Sequence, residues 1–441
     1  MASVHSKYLD VFVAKQVKES VSEPSSSNVY LTFGKSSEWA NDAAPPQANT
    51  SVAGFNEVWR NMVGGKRIVG SDIRHAIPRF DWTANTIYTP YDHLTDSLSL
   101  KNANTQFYVV TSDYNVYKCL SNNYGTMSTI QPNTTITATH FQTSDGYIWK
   151  YMYTLSAEER LRFLTQSFIP VKTISASDGS VQWDVQSAAV SGAIHVINLT
   201  NVGSNYYSND ISVVITGDGV NCNAFALLNT TSHTVQSIVV DDIGSGYTYA
   251  NVTLISSNGS GATARAIISP AGGHGYDPLV ELGGSYLIFN IQLKNTEGGI
   301  LSVHNDYRQI SLIEDPLKYG TSNVTSNSII SQLTVLTLNG SSVEYSEDEY
   351  VYQGESLNSY TFKGYVTEWD SANSTIKLSQ TEGTPTKDLL IGANTTASRF
   401  VSLIDTPDLQ PYTGKLLYTD NITAIQRASD QTEDYKIVLN F

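Results

Sequence analysis

An internal repeat narrows what this chain can fold into more than any other feature. Ile197–Tyr206 (INLTNVGSNY) returns 41 residues later as Ile238–Tyr247 (IVVDDIGSGY). Downstream, Ile211–Ile215 (ISVVI) matches Val252–Ile255 (VTLI). Ala224-Phe-Ala226 matches Ala262-Thr-Ala264 after a three-residue slip. Each copy reads as strand, glycine turn, tyrosine, strand, glycine-rich turn, strand. A unit this small cannot bury a core alone, so the two copies are expected to pack on each other. Alternating alanines imply strands that a neighbouring layer approaches closely.

The flanking sequence reads as mainly β with a few short helices. Tyr8–Ser20 is compatible with helix or strand, helix being favoured, and the Pro24–Ser27 run breaks it. Val29–Phe33 is a strand ending at Gly34. Phe55–Met62 is a short helix stopped by Gly64 and Gly65. Phe107–Thr111 and Asn115–Leu120 flank a turn at Ser112-Asp113 as a hairpin should, and Tyr147–Leu155 follows the Asp145-Gly146 turn. Ser156-Ala-Glu-Glu159 has the capping-box pattern and opens a helix over Ala157–Leu164. Later strands are expected at Tyr286–Leu293, Gln309–Ile313, Gln332–Leu338, Thr361–Thr367, Thr375–Leu378, Gly414–Tyr418, Thr423–Gln426 and Tyr435–Phe441.

These readings give a multidomain chain of β-sandwich or barrel-like domains with inserted β domains. Residues 1–175 form an N-terminal mixed, mainly β domain, completed by 285–327 and 405–441. Residues 185–280 are the inserted repeat, and 328–404 a second small β insertion. A length of 441 residues suits several cores rather than one.

Composition excludes whole classes. No apolar run approaches the roughly 18 residues a membrane helix requires, so no membrane insertion is expected. Met1–Lys7 shows no secretory signal, which points to cytoplasmic synthesis. A formal net charge of −15 opposes binding to nucleic acid or anionic lipid. The two cysteines, Cys119 and Cys222, read as small hydrophobes in separate domains. The asparagine triplets starting at Asn133, Asn198, Asn229, Asn251 and Asn421 follow from a chain rich in Asn, Ser and Thr. The 27 tyrosines suit half-buried strands and protein interfaces alike.

Reactive constellations are sparse. His5, His75, His93, His140, His195, His233, His274 and His304 stand singly, without metal-ligand spacing. Gly64-Gly65-Lys66 lacks the rest of a phosphate loop. Three segments offer chemistry beside a structural alternative. Gly272-Gly-His-Gly-Tyr-Asp277 places a histidine and a carboxylate in one loop, or is a tight glycine turn closing the repeat. Glu347-Asp-Glu349 is a cation site or a solvated acidic loop. Arg79 with Asp81-Trp82 is a sugar platform or a core anchor with an ion pair. The structural alternative is the expected one in each case. No catalytic, cofactor-binding or metal-binding residue is assigned, and no cofactor is expected.

Several segments, taken in order, resemble one family: the baseplate wedge subunit encoded by gene eight of T-even-like contractile-tailed bacteriophages. They are Val29–Trp39, Ala76–Trp82, Asp145–Tyr151, Arg308–Ile313 with Asp315-Pro-Leu317, and Gly414–Tyr418 with Asp430–Glu433. The resemblance covers residues 1–175, 295–320 and 412–441; the two insertions have no counterpart. It implies a mostly β, homodimeric virion protein assembled in the host cytoplasm with other baseplate wedge proteins. No catalytic residue belongs to that role. Two alternatives remain: a glycan- or receptor-binding tail protein, and a polysaccharide depolymerase. The direction of Tyr206, Tyr207, Tyr247 and Tyr249 separates the first from a scaffold.

Overall fold

A computed structural model describes residues 6–23, 27–95, 105–207, 211–303, 305–340, 342–425, 427–428 and 430–441. Residues 24–26 of the Pro-Ser run, His5, His304 and Gln426 lie outside these. Strands dominate, with several sheets, one closed barrel and few helices. The chain divides into two compact units. One comprises Met1–Gln16, Arg74–Ile288 and Val438–Phe441, the other Val17–Ile73 and Phe289–Ile437.

In the first unit, a four-stranded sheet runs in the order Tyr108–Val110, Asn115–Ser121, Ile148–Thr154, Phe141–Gln142. Its middle strands are buried on both faces, with Trp149, Tyr117, Tyr147 and Tyr151 fully enclosed. The hairpin turn is where the sequence placed it. The predicted capping box at Ser156 and Glu159 also forms, each side chain accepting from the other's backbone N–H at the start of helix Ala157–Phe163. Asp145 organises its turn by accepting from the backbone N–H groups of Thr129, Ile130 and Tyr147. Helix Val181–Ser187, capped by Ser180, was not expected from the sequence. Cys119 and Cys222 both lie in this unit, unpaired, with Cys119 fully buried.

The repeat strands are Ile194–Ser204, Ile211–Gly217 and Val220–Asn229, then Thr234–Ser245, Ala250–Ser256 and Ser260–Ile268. The copies interleave, going beyond the packing expected. Ile194–Ser204 pairs with Ser260–Ile268, Ile211–Gly217 with Ala250–Ser256, and Val220–Asn229 with Thr234–Ser245. Val213 lies opposite Leu254, its own counterpart at the 41-residue spacing. A local two-fold relation therefore passes through that pair. It recurs at the tyrosines: Tyr206 N–H donates to the carbonyl of His233, and Tyr247 N–H to that of Gly192. Each ring covers a glycine of the opposite copy. A Cβ on Gly259 would stand 2.2 Å from the Tyr206 ring, and one on Gly219 would stand 2.4 Å from Tyr247.

In the second unit, five strands run in the order Ile329–Ser331, Met62–Arg67, Val29–Gly34, Tyr307–Glu314, Lys415–Ile425. Helix Val52–Asn61 ends before Gly64 and Gly65, which are strand residues rather than helix stops. A Cβ at either would meet a neighbouring carbonyl within 2.8 Å, so glycine here permits close strand approach. A six-stranded closed barrel spans Thr334–Asp405. Three of its strands were not expected: Tyr350–Ser356, Leu389–Gly392 and Ser398–Asp405. Leu336, Val351, Phe362, Val366, Ile376 and Leu378 fill it.

Candidate functional site

A cluster of buried ionisable groups lies in the first unit, and it includes the histidine of the glycine-rich loop. Lys118 and Lys150 sit directly opposite each other on adjacent strands, each 1% exposed. Two buried ammonium groups so placed need compensation. Lys118 Nζ donates to Glu281 Oε2 at 2.8 Å and to His274 Nδ1 at 3.1 Å, and stands 4.1 Å from the centre of the Tyr91 ring. Lys150 Nζ donates to the carbonyls of Thr137 and Thr139. Glu281 is itself held, its Oε1 accepting from the backbone N–H groups of Gly275 and Asp277.

The loop's glycines explain how His274 reaches this position. Gly272, Gly273 and Gly275 all have φ in the left-handed region. A Cβ on Gly273 would meet the Val190 backbone at 2.5 Å, and one on Gly275 the Val185 side chain at 2.6 Å. The loop is thus a tight turn. The carboxylate beside His274 is Glu281, at 3.9 Å, whereas Asp277 caps the short helix Pro278–Glu281. His195 lies edge-on to His274 with ring centres 5.2 Å apart, and its Nδ1 is 3.0 Å from Nδ1 of His140.

Electrostatics follow from burial. Desolvation drives His274 well below its ordinary value, and the lysine charges add to it. His195 is lowered to about 2 by desolvation, then by its histidine and lysine neighbours. Desolvation also lowers Lys118, against the pull of Glu281, and brings Lys150 to about 8. The histidines are therefore neutral, and His274 accepts a proton contact from Lys118. Among the described residues no group of three or more His, Cys, Asp and Glu is placed to hold a metal. This cluster staples strands and loop together.

The other candidate segments are also internal fastenings. Glu347 and Asp348 are exposed, but Glu349 is buried. Its carboxylate accepts from Ser346, Asn394 and Thr395 backbone N–H groups and from the Thr395 hydroxyl. The solvated-loop reading therefore fails for Glu349. Arg79 pairs with Asp81 at 3.0 Å, and Trp82 Nε1 donates to Ser128. Trp82 and Trp39 are half-buried; the fully buried indoles are Trp59 and Trp149. Tyr206 and Tyr247 point into the repeat core, whereas Tyr207 and Tyr249 are exposed.

Missed by sequence reading was the inward direction of Lys118 and Lys150. A signal existed: alternation puts Lys118 on one face with Val116 and Leu120, and Lys150 with Ile148 and Met152.

The candidate segments thus serve as internal contacts of a strand-built chain. Residues 3–139 match the family model described as Bacteriophage T4, Gp8. The baseplate wedge protein gp8 of Enterobacteria phage T4 is 24% identical over 181 residues, covering 34% of this chain and 54% of that relative. The chain thus spans about half the length of the curated relative it matches. The resemblance to the gene-eight family holds for the N-terminal part of the chain. The motifs at Asp145–Tyr151, Arg308–Leu317 and Gly414–Glu433 lie beyond the family match.

Proposed function

We propose that this chain is a structural subunit of a baseplate wedge in a contractile-tailed phage, acting through protein–protein interfaces and without enzymatic activity. The match across residues 3–139 to the gene-eight family carries this reading. On it, the protein forms a homodimer, joins other wedge proteins in the host cytoplasm and ends in the virion tail. No helix among the described residues is long and apolar enough to cross a membrane, which is consistent with this. The outward face of the repeat adds support. Phe225 and Val239, opposite each other on paired strands, are exposed together with Leu227, as suits a subunit that works by contact.

The domain boundaries are part of the proposal: a body of 1–175, 285–327 and 405–441, carrying the insertions 185–280 and 328–404. Confinement of the repeat strands and the barrel strands to their own sheets supports it. The decisive test is a cryo-EM map of the assembled tail, with the chain expected in the wedge. Density for it elsewhere in the particle refutes the assignment. Light scattering of the purified chain tests the dimer, which a monomer at all concentrations excludes. Release of reducing sugar from host polysaccharide, abolished by one carboxylate substitution, refutes the non-enzymatic reading.

A further inference from the structure

We propose that strand Lys415–Ile425 is the surface through which two copies of this chain join, edge to edge and antiparallel, into one continuous sheet. The inference deepens the homodimer reading above and rests on it for the expectation that a dimer forms. The strand closes one side of the second unit's five-stranded sheet, where it pairs with Tyr307–Glu314. At 11 residues it is the longest strand of that sheet, whereas the opposite edge, Ile329–Ser331, has only 3. Among the described residues, no backbone group along it bonds to any other segment. Alternate residues of an antiparallel edge turn their N–H and C=O outward, so this side is a template for one more strand.

Register with the neighbouring strand fixes which side chains share a face. Lys415, Tyr418 and Asp420 lie opposite Glu314, Leu312 and Ile310, on one face of the sheet. Leu416 and Thr419 lie opposite Ile313 and Ser311, on the other. A bulge makes Leu417 the extra residue between Leu416 and Tyr418. Without it, Lys415 and Asp420 would fall on opposite faces; with it, they share one. Consider two copies of the strand antiparallel about a two-fold axis between Leu417 and Tyr418. Lys415 of each copy then faces Asp420 of the other, and Leu416 of each faces Thr419 of the other. Every such pair agrees in face, and the charged pairs are opposite in sign, as a self-complementary contact requires.

The groups concerned are open to a second copy. The Lys415 side chain is 76% exposed, and its ion pair with Glu314 at 3.2 Å leaves donors free. Asp420 accepts from the Tyr418 hydroxyl through Oδ2, leaving Oδ1 to a newcomer. Leu417, 52% exposed, sits at the axis, where pairing covers it. Exposed edges are commonly guarded by proline or by charges that turn another strand away. This strand has no proline, and its two charges cancel. On a chain of net charge −15, a locally neutral strand is where two copies can meet without repulsion.

Sedimentation of the full chain over a concentration series measures the dimer, and charge reversal tests its surface. Lys415→Glu and Asp420→Lys should each weaken dimerisation roughly tenfold, because one reversal makes both symmetry-related pairs repulsive. Combining Lys415→Glu with Asp420→Lys should restore the dimer, which neither change could do by damaging the fold. Lys415→Cys combined with Asp420→Cys sets thiols opposite each other across the axis. Mild oxidation should then give a covalent dimer, which neither single replacement can form. A dimer indifferent to the reversals and unlinked by oxidation overturns the proposal and leaves the homodimer standing. Loss of the dimer in both single variants without recovery in the combined one also overturns it, since the two charges then do not face each other. A monomer up to roughly 1 mM, a concentration that reveals even weak contacts, removes homodimer and proposal together. None of these results bears on whether the chain sits in the wedge.

Discussion

Replacing Glu281 by Gln would test whether the buried Lys118 ammonium depends on a charge rather than on a hydrogen bond. The amide is nearly isosteric and keeps an acceptor for the Gly275 N–H, so the change isolates the carboxylate's charge. At the observed 2.8 Å, the attraction between the two groups is about 6 kcal/mol for an effective dielectric constant of about 20. Part of the loss is offset, because the Tyr91 ring and His274 still face the ammonium. The expected net cost is therefore about 3–5 kcal/mol, the range for breaking a buried pair from one side. Urea unfolding of the full chain, followed by near-ultraviolet circular dichroism, reads the cost as a lowered midpoint of the first unit's transition. The pH dependence supplies a signature. Burial lowers the folded-state pKa of Lys118, so the unfolded chain binds more protons just below the lysine's ordinary value. Stability should then rise with pH as that value of about 10.4 is approached, and more so in the variant, where the raising pull of Glu281 on Lys118 is gone, narrowing the gap from the wild type. A cost below about 1 kcal/mol, with no such narrowing, would show that the charge of Glu281 is dispensable and refute the reasoning.

Acid should weaken the first unit: His195 and His274 have depressed folded-state values, so the unfolded chain takes up more protons below about 6.5. Two such groups give a loss of up to about 4 kcal/mol between pH 7 and pH 5, and the urea midpoint at each pH checks it. Gly259→Ala and Gly219→Ala should each cost about 1–3 kcal/mol by driving a methyl into Tyr206 or Tyr247, and should cost similar amounts because the two sites correspond. Calorimetry on both variants would expose any asymmetry. Trp149→Ala should cost about 3–5 kcal/mol and Trp82→Ala clearly less, since only the first indole is fully enclosed. Equal losses in denaturant titrations would contradict that ranking.

Local signals were legible wherever a few adjacent residues decide the outcome. Ser156 and Glu159 announced a helix start, Asp145-Gly146 a turn, and the 41-residue spacing a duplicated β unit. What lay beyond such signals depended on partners distant in sequence. Gly64 and Gly65 look like a helix stop until Leu31 and Ile330 are brought against them. Closure of the barrel needs Thr334–Asn339 to pair with Ser398–Asp405, more than fifty residues on, and no local pattern records it. The ionisable cluster fell between these cases. His274 stood out because of its glycines, but its partners Lys118 and Glu281 come from a central strand and a short helix. A cavity beside Trp59 likewise gathers residues from six separate stretches of chain, and only the fold assembles them.

The pairing of Val213 with Leu254 limits how this chain could have grown. Solenoid repeats stack head to tail, so each copy leaves a surface ready for the next and arrays lengthen freely. Here the two copies meet through the same surface, as the halves of a two-fold dimer do, and that surface is used up once they have met. A third copy would find no complementary strand to join, and a single copy would lack the strand that completes it. The duplication is therefore saturated at two. Length variation in this region among related chains should appear in the turns, and never as an added or missing copy.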